Sequence, residues 1–301
     1  LDFLLKFKGD YSDIKIAFDL SNGMSSLYAR EIFGDEPAYI FEEMDGNFPN
    51  HEPNPLIPKN VEPLQALVRK TGADVGVIYD GDADRVMFVD NEGKFVSPDL
   101  MIAVLGHYFV DERHETGTVL QDIRSSKAVG EYLTPMGCKM ATWKVGRAFA
   151  ARKLRELDGV WGGELAGHYY FRDFFYSDSG LLASMLILRV VAAMKKNGVT
   201  LHELIGRIAR YQNSGEINFR LDDKKGAMDA VKEYFTSKET PTAEMDFDGY
   251  RVEFPDWWFN IRPSNTEPYL RFICEATSDA LLEEKVNETK NLLVERFGAK
   301  L

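Results

Sequence analysis

The sequence predicts an α/β protein of several domains, with two α/β domains followed by a smaller α+β domain. Three observations carry this expectation. The chain has 301 residues, more than one ordinary compact domain holds and enough for two or three of roughly 100–150 residues each. Hydrophobic residues make up 45% and charged residues 28%, the balance of a chain with a real core rather than a disordered or collagen-like one. The first two thirds alternate apolar strands with helical stretches, whereas the last third groups several strands with two helices.

In chain order, residues 14–18 read as a strand, and Asn22-Gly23 as a turn into a helix. Residues 49–63 hold five of the twelve prolines and read as an extended loop, followed by a helix through Leu64, Leu67 and Val68. Val75–Tyr79 is a buried-type strand, 86–89 is its neighbour, and Asn91-Glu92-Gly93 turns the chain back. Ser97 with Pro98 predicts a helix cap and a first-position proline, opening a helix over 99–110. The charged run 111–117 marks a boundary. A strand at 118–120 opens the second series: a helix over 126–133, a strand at 139–142, a helix over 147–157, a strand at 168–171 and a long apolar helix over 179–196. Thr200-Leu201-His202-Glu203 fits a capping box for one more helix. Beyond Glu216, strands at 217–220, 250–254, 257–261 and 269–275 accompany helices over 226–235 and 280–297. The expected domains are 1–112, 113–214 and 215–301.

The formal net charge of −12 argues against a nucleic-acid binder working through overall charge, so an anionic substrate would need a local basic cluster. Cys138 and Cys274 lie far apart with no CxxC spacing, which predicts two reduced core thiols in a cytoplasmic protein rather than a disulfide framework or a zinc knuckle. No stretch reaches the ~20 apolar residues of a membrane span. The longest apolar run, near 181–194, is broken by Ser184 and Arg189.

The chemistry concentrates in three places. Asp80-Gly81-Asp82-Ala83-Asp84-Arg85 directly follows an apolar strand. Three carboxylates at alternate positions repel one another as anions, and a loop presenting them at a strand's carboxyl end suits a hard divalent ion. Arg85 would then face a substrate phosphate; a solvated acidic turn capped by an arginine is the bland alternative. A calcium EF-hand fails because its sixth and twelfth positions are Arg85 and Asn91 rather than Gly and Glu. A dehalogenase-type aspartyl phosphotransferase, with Asp80 as nucleophile, stays open although Asp84 stands where that pattern asks for Thr or Val. Second, Gly163-Glu164-Leu165-Ala166-Gly167-His168 sets Glu164 and His168 around small residues, an arrangement suited to sugar hydroxyls or to an ordinary structural turn. Third, Arg262-Pro263-Ser264-Asn265-Thr266-Glu267-Pro268, with Arg271 on the next strand, offers short polar side chains, backbone N–H groups and two guanidinium forks for a phosphate dianion. Arg124, Lys144 and Arg147 lie at strand-to-helix junctions where an anion and helix N–H groups can meet, or where a solvated cation can sit.

These three segments, in this order, resemble the metal, sugar and phosphate loops of the α-D-phosphohexomutase superfamily, and most resemble its phosphomannomutase/phosphoglucomutase branch. The resemblance spans essentially the whole chain. It implies two related three-layer α/β domains and a C-terminal α+β domain around a cleft. It implies an isomerase that interconverts hexose 1- and 6-phosphates of mannose or glucose through a phosphoserine and a bisphosphate intermediate. By the same resemblance, Asp80, Asp82 and Asp84 would hold Mg²⁺, and Arg85, Arg124 and Arg147 would serve phosphoryl transfer. Lys144, Glu164, His168, Arg262, Ser264, Asn265, Thr266 and Arg271 would bind substrate. A glucose 1,6-bisphosphate-type activator and hexose phosphate partners are implied, with a monomer that engages neither nucleic acid nor membrane. Two departures stand out. Ala166 replaces a frequent Ser, and the phosphoserine loop Thr-Ala-Ser-His-Asn-Pro is absent from the sequence. In the family that loop belongs to an N-terminal domain upstream of the position where Leu1 stands. The expectation is therefore a fragment that lacks the domain completing the cleft, inactive alone and binding phosphosugar and metal without turnover.

Overall fold

Side-chain alternation along the first strands sets the architecture. The computed structural model describes residues 1–264 and 267–301. Strands β1 (Ile16–Asp19), β2 (Ala38–Ile40), β3 (Val75–Tyr79), β4 (Val86–Asp90) and β5 (Phe95–Val96) form a sheet in the order β2-β1-β3-β4-β5. β1 runs parallel to β2 and β3, while β3, β4 and β5 form an antiparallel meander. Helices α1 (Asp2–Leu5), α2 (Ala29–Phe33) and α3 (Pro58–Thr71) accompany it. Ala17, Ile78, Met87 and Val89 share a core with Val61, Leu64 and Val68 of α3. Their neighbours Phe18, Val77, Tyr79, Val86 and Phe88 belong to a second, larger core. Both faces of the sheet are therefore covered, which makes three layers and explains why β3 and β4 read as unbroken apolar runs.

The second sheet repeats the plan. β6 (Thr118–Asp122), β7 (Lys139–Trp143), β8 (Trp161–Gly163), β9 (Tyr169–Phe171) and β10 (Ser177–Asp178) take the order β7-β6-β8-β9-β10. Again the first strand lies parallel to the third, and the third, fourth and fifth are antiparallel. The helices here are α4 (Leu100–Gly106, continued as a π-helix over His107–Glu112), α5 (Lys127–Leu133), α6 (Arg147–Glu156), α7 (Gly180–Lys196) and α8 (Leu201–Ile208). α7 packs on β3, β4 and α4 with Leu182, Met185, Leu186 and Ile187 buried. The two residues that interrupt its apolar run each have a partner. Ser184 Oγ lies 2.5 Å from the Tyr79 hydroxyl, and Arg189 pairs with Glu112 and donates to the Phe7 carbonyl at 3.2 Å.

Residues 1–142 and 146–209 pack as one unit, and 143–145 with 210–301 as another. In the second unit, β11 (Gln212–Asn213), β12 (Ile217–Arg220), β13 (Ala243–Met245), β14 (Tyr250–Glu253), β15 (Trp257–Pro263) and β16 (Tyr269–Ala276) build an antiparallel sheet in the order β11-β16-β15-β14-β13, with β12 also on β16. Helices α9 (Lys224–Thr236) and α10 (Asp279–Phe297) pack on it. Trp257, Phe259, Ile261, Phe272 and Cys274 face these helices in one core with Phe235 and Leu293. Period-2 alternation sends Trp258, Asn260 and Arg262 to the other face, together with Arg271 and Glu275.

The fold class is the expected one, with local corrections. The proline-rich loop ends at Ile57, because Pro58 takes the first helical position of α3 and Pro63 lies inside the helix. Asp99, not Ser97, caps α4; its carboxylate accepts the Leu100 N–H at 3.0 Å and the Ser97 hydroxyl at 2.5 Å. The capping box of Thr200 and Glu203 forms as read. Both cysteines are buried and free. Among the described residues no helix is long and apolar enough to cross a membrane.

The close pairing of β8 on β6 yields a stability test. A Cβ at Gly162 would stand 2.7 Å from the Leu120 carbonyl oxygen and 2.8 Å from Leu120 Cβ. Gly162→Ala should lower unfolding stability by about 1–3 kcal/mol, read from the denaturant midpoint. An unchanged midpoint would contradict this packing.

Candidate functional site

The turn between β3 and β4 carries the three aspartates. The Asp80 N–H donates to the Arg85 carbonyl and the Ala83 N–H to the Asp80 carbonyl, both at 3.3 Å, and Ala83 takes a left-handed conformation (φ 61°). This tight curl brings one oxygen each from Asp80, Asp82 and Asp84 within 4.8 Å of one another. Asp80 is buried and accepts the Arg85 backbone N–H at 3.2 Å and its Nε at 2.6 Å. Burial, with the Asp80 and Asp82 charges adding to it against His168, lifts the Asp84 pKa to about 6. An all-oxygen donor set in which two carboxylates push a third toward its neutral form fits a hard divalent cation such as Mg²⁺.

The turn between β8 and β9 holds the corresponding place in the second sheet. Its Gly167 carbonyl accepts the Val86 N–H at 3.1 Å, which ties it to β4 beside the aspartate turn. His168 Nδ1 lies 2.8 Å from Asp178 Oδ2 and 3.9 Å from Asp84 Oδ1. Arg147, at the start of α6, donates from Nε to Asp178 at 2.9 Å and from Nη1 to Asp84 at 3.2 Å. Asp84, His168 and Asp178 thus form a second ligand-capable group that shares Asp84 with the first. Burial alone would lower the His168 pKa, but Asp178 and Asp84 outweigh it and hold it above the usual range. Asp178 in turn stays below its usual range, because His168 and Arg147 outweigh burial.

Glu164 is buried, accepting the Gly146 N–H at 2.6 Å and the Tyr170 hydroxyl at 2.6 Å. Burial, then the nearby Asp122, raises its pKa. It thereby anchors the residue directly before Arg147. Arg124 is buried against Asp122, with Nη2 to Oδ2 at 2.8 Å, and Asp122 also accepts the Leu165 N–H at 2.9 Å. The structure therefore gathers Asp80, Asp82, Asp84, Arg85, Arg147 and His168 around Asp84, with Glu164 and Arg124 around Asp122. Sequence reading missed Asp178 and Asp122 as members. Asp178 stands directly before Ser179, whose hydroxyl caps α7, and its carboxylate pairs with His168.

In the second unit, Arg262 and Arg271 are directly opposed across β15 and β16. Facing like charges are unfavourable unless anions intervene. Here Arg262 Nε meets Asp248 at 3.2 Å, and Arg271 pairs with Glu216 at 2.9 Å and with Glu267. Asp248 also accepts the Val145 N–H at 2.9 Å, one residue after Lys144 in the chain. The Ser264 N–H donates to the Tyr269 carbonyl at 2.8 Å, and its hydroxyl accepts the Glu267 N–H at 3.2 Å. Asn265 and Thr266 lie outside the described residues.

Known proteins match along nearly the whole chain. Residues 4–93 match the model of phosphoglucomutase/phosphomannomutase alpha/beta/alpha domain II, 97–211 that of alpha/beta/alpha domain III, and 216–292 that of the C-terminal domain. The phosphomannomutase of Methanocaldococcus jannaschii is 36% identical over 285 residues, covering 94% of this chain and 62% of that protein. A phosphoglucomutase/phosphomannomutase family protein of Burkholderia thailandensis superposes with a TM-score of 0.82 at 27% identity, over 98% of this chain and 64% of that one. The N-acetylphosphoglucosamine mutase of Aspergillus fumigatus, solved in complex with GlcNAc-6P and magnesium, shares the fold at a TM-score of 0.69 and 13% identity, over 97% of this chain and 64% of that one. The chain thus spans less than two thirds of the length of these relatives. With three consecutive domain matches and the two related sheets, the chain belongs to the α-D-phosphohexomutase superfamily.

Proposed function

We propose that this chain is the metal-, sugar- and phosphate-binding part of a phosphohexomutase that interconverts hexose 1-phosphates and 6-phosphates of mannose or glucose. The observation that carries this reading is the cluster centred on Asp84, where carboxylates suited to a cation adjoin Arg85, Arg147 and a histidine oriented by a second carboxylate. Asp80, Asp82 and Asp84 would hold Mg²⁺, which when bound offsets charge on a phosphoryl group. Arg85, fixed by Asp80, and Arg147, fixed by Asp178, supply further positive charge without needing to reorganise. His168 is engaged through Nδ1, so Nε2 is the atom left to meet a sugar hydroxyl. Lys144, Arg262, Ser264 and Arg271 would bind the distal phosphate, which must be accepted in two sugar orientations if a bisphosphate turns around between transfers.

The dehalogenase-like alternative loses ground on geometry. Asp80 is buried and its charge is paired with Arg85, which keeps a lone pair for a cation but leaves the carboxylate a weak nucleophile. A second reading, phosphosugar binding without turnover by this chain alone, is supported by its span of 62% of the phosphomannomutase it matches. A coupled mutase assay primed with glucose 1,6-bisphosphate separates the two. The expected result is no turnover by the 301-residue chain and turnover once a serine-bearing N-terminal domain precedes it; robust turnover by the chain alone would overturn the fragment reading.

Arg262→Ala, checked for an unchanged melting profile, should raise the Kd for glucose 1-phosphate by roughly 10–100-fold, the loss of one charge-assisted contact of about 1.5–3 kcal/mol. Calorimetric titration reads it directly. Equal affinity would remove Arg262 from the phosphate site.

A further inference from the structure

Two loops back the aspartate turn, 19–24 and 41–57, and they meet at a buried pair. Asp19 ends β1 with its side chain fully buried, and His51 is nearly so; Nε2 lies 3.1 Å from Asp19 Oδ2 and 3.3 Å from Oδ1. His51 Nδ1 lies 2.8 Å from the Glu52 carbonyl, which can only accept. Nδ1 therefore carries a hydrogen, and a neutral ring would turn a lone pair on Nε2 toward the carboxylate. The pair must hold one further proton, as an imidazolium beside a carboxylate or a neutral ring beside a carboxylic acid.

From this pair both loops reach the aspartate turn at separate points. On the Asp19 side, the Asp19 carboxylate accepts the Ser21 N–H at 2.9 Å, and the Ser21 hydroxyl donates to the Tyr79 carbonyl at 2.6 Å, one residue before Asp80. The Met24 N–H donates to the Gly81 carbonyl at 2.9 Å, and a Cβ at Gly23 would stand 2.7 Å from that same oxygen. On the His51 side, Phe48 and Pro53 stand in van der Waals contact with the Cβ position of Gly81, and Asn54 Oδ1 lies 3.5 Å from Arg85 Nη1. Asn22 stitches the two sides together, donating to the Glu43 carbonyl at 2.7 Å and accepting from Asn50 at 2.8 Å. Ser21, Asn22, Phe41, Phe48 and Ala83 all take left-handed backbone conformations, with φ between 49° and 61°. Such conformations cost energy in non-glycine residues and persist where the surroundings over-determine them, as at sites that must be pre-shaped.

We propose that His51, through Asp19, is a positioning residue that holds the Asp80–Asp82–Asp84 turn in its cation-binding shape. This rests on the reading of that turn as a metal site. The pair touches no ligand; it locks together the two loops that grip the backbone on either side of Asp80. Partners bonded directly to metal ligands typically change metal affinity by about 10–100-fold when altered, and this pair, acting through the backbone of the same turn, is expected to fall within that range.

The test is Mn²⁺ binding by the 301-residue chain, followed by electron paramagnetic resonance, with folding checked by circular dichroism. His51→Gln keeps a donor toward Asp19 but removes the ring's second proton site, and it should weaken Mn²⁺ binding by about 10–100-fold. The double variant Asp19→Asn/His51→Gln, with a neutral hydrogen-bonded pair, should recover most of that loss. A folded His51→Gln that binds as tightly as wild type overturns the proposal, and so does a double variant as weak as the single one. Should His51→Gln not fold, Ser21→Ala deletes the Tyr79 link without touching a charge and must weaken Mn²⁺ in the same direction; unchanged binding there overturns the proposal. Wild-type protein that binds no Mn²⁺ at all refutes the metal reading itself and the positioning role with it, which separates the two failures.

Discussion

Everything around the candidate site follows from the repulsion among three carboxylates held at the end of one buried strand. Asp80, Asp82 and Asp84 are forced together by a tight antiparallel turn, and Asp80 and Asp84 are largely withdrawn from water. At such distances anions cannot all stay charged without cations nearby. The structure supplies some of the compensation itself, Arg85 for Asp80 and Arg147 for Asp84. What it leaves over, an Asp84 whose pKa climbs to about 6, is the demand that a divalent ion would meet.

The repeated sheet topology places the second half of the site. In each sheet the chemistry-bearing turn joins the third strand to the antiparallel fourth: 80–85 between β3 and β4, 163–168 between β8 and β9. The two turns are tied by the Gly167–Val86 hydrogen bond, so a histidine from one sheet reaches an aspartate of the other. The antiparallel hairpin of the second unit uses a different device. There strand register, rather than a turn, sets two arginines opposite each other and draws Asp248, Glu216 and Glu267 to them. In each case a local excess of one charge is created by backbone geometry and partly offset by nearby side chains. This is how a chain with a net charge of −12 can still gather arginines in one place.

Much of this was legible in the sequence, for identifiable reasons. β3 and β4 stand out because strands buried on both faces become unbroken apolar runs. The capping box at Thr200 is local chemistry within four residues. Two- and three-residue strands such as β2, β5 and β10 carry too few residues to show a period. The start of α3 was hidden because prolines mark loops and first helical turns alike. Asp178, Asp122 and His51 escaped notice for another reason. Their partners His168, Leu165 and Asp19 lie 10, 43 and 32 positions away, and no spacing rule spans such distances. The aspartate triplet and Arg85 were visible because they are neighbours in sequence; His168 and Asp178 join them only in the fold.

The position of a bound divalent ion decides between the two groups that could take one. Two groups in the first unit could take one, Asp80–Asp82–Asp84 and Asp84–His168–Asp178, and they share Asp84. Anomalous scattering from crystals grown with Mn²⁺ distinguishes them. A single peak is expected among the three aspartates, with His168 and Asp178 still paired. A peak between His168 and Asp178, or none at either place in crystals soaked well above the solution affinity, would contradict that placement.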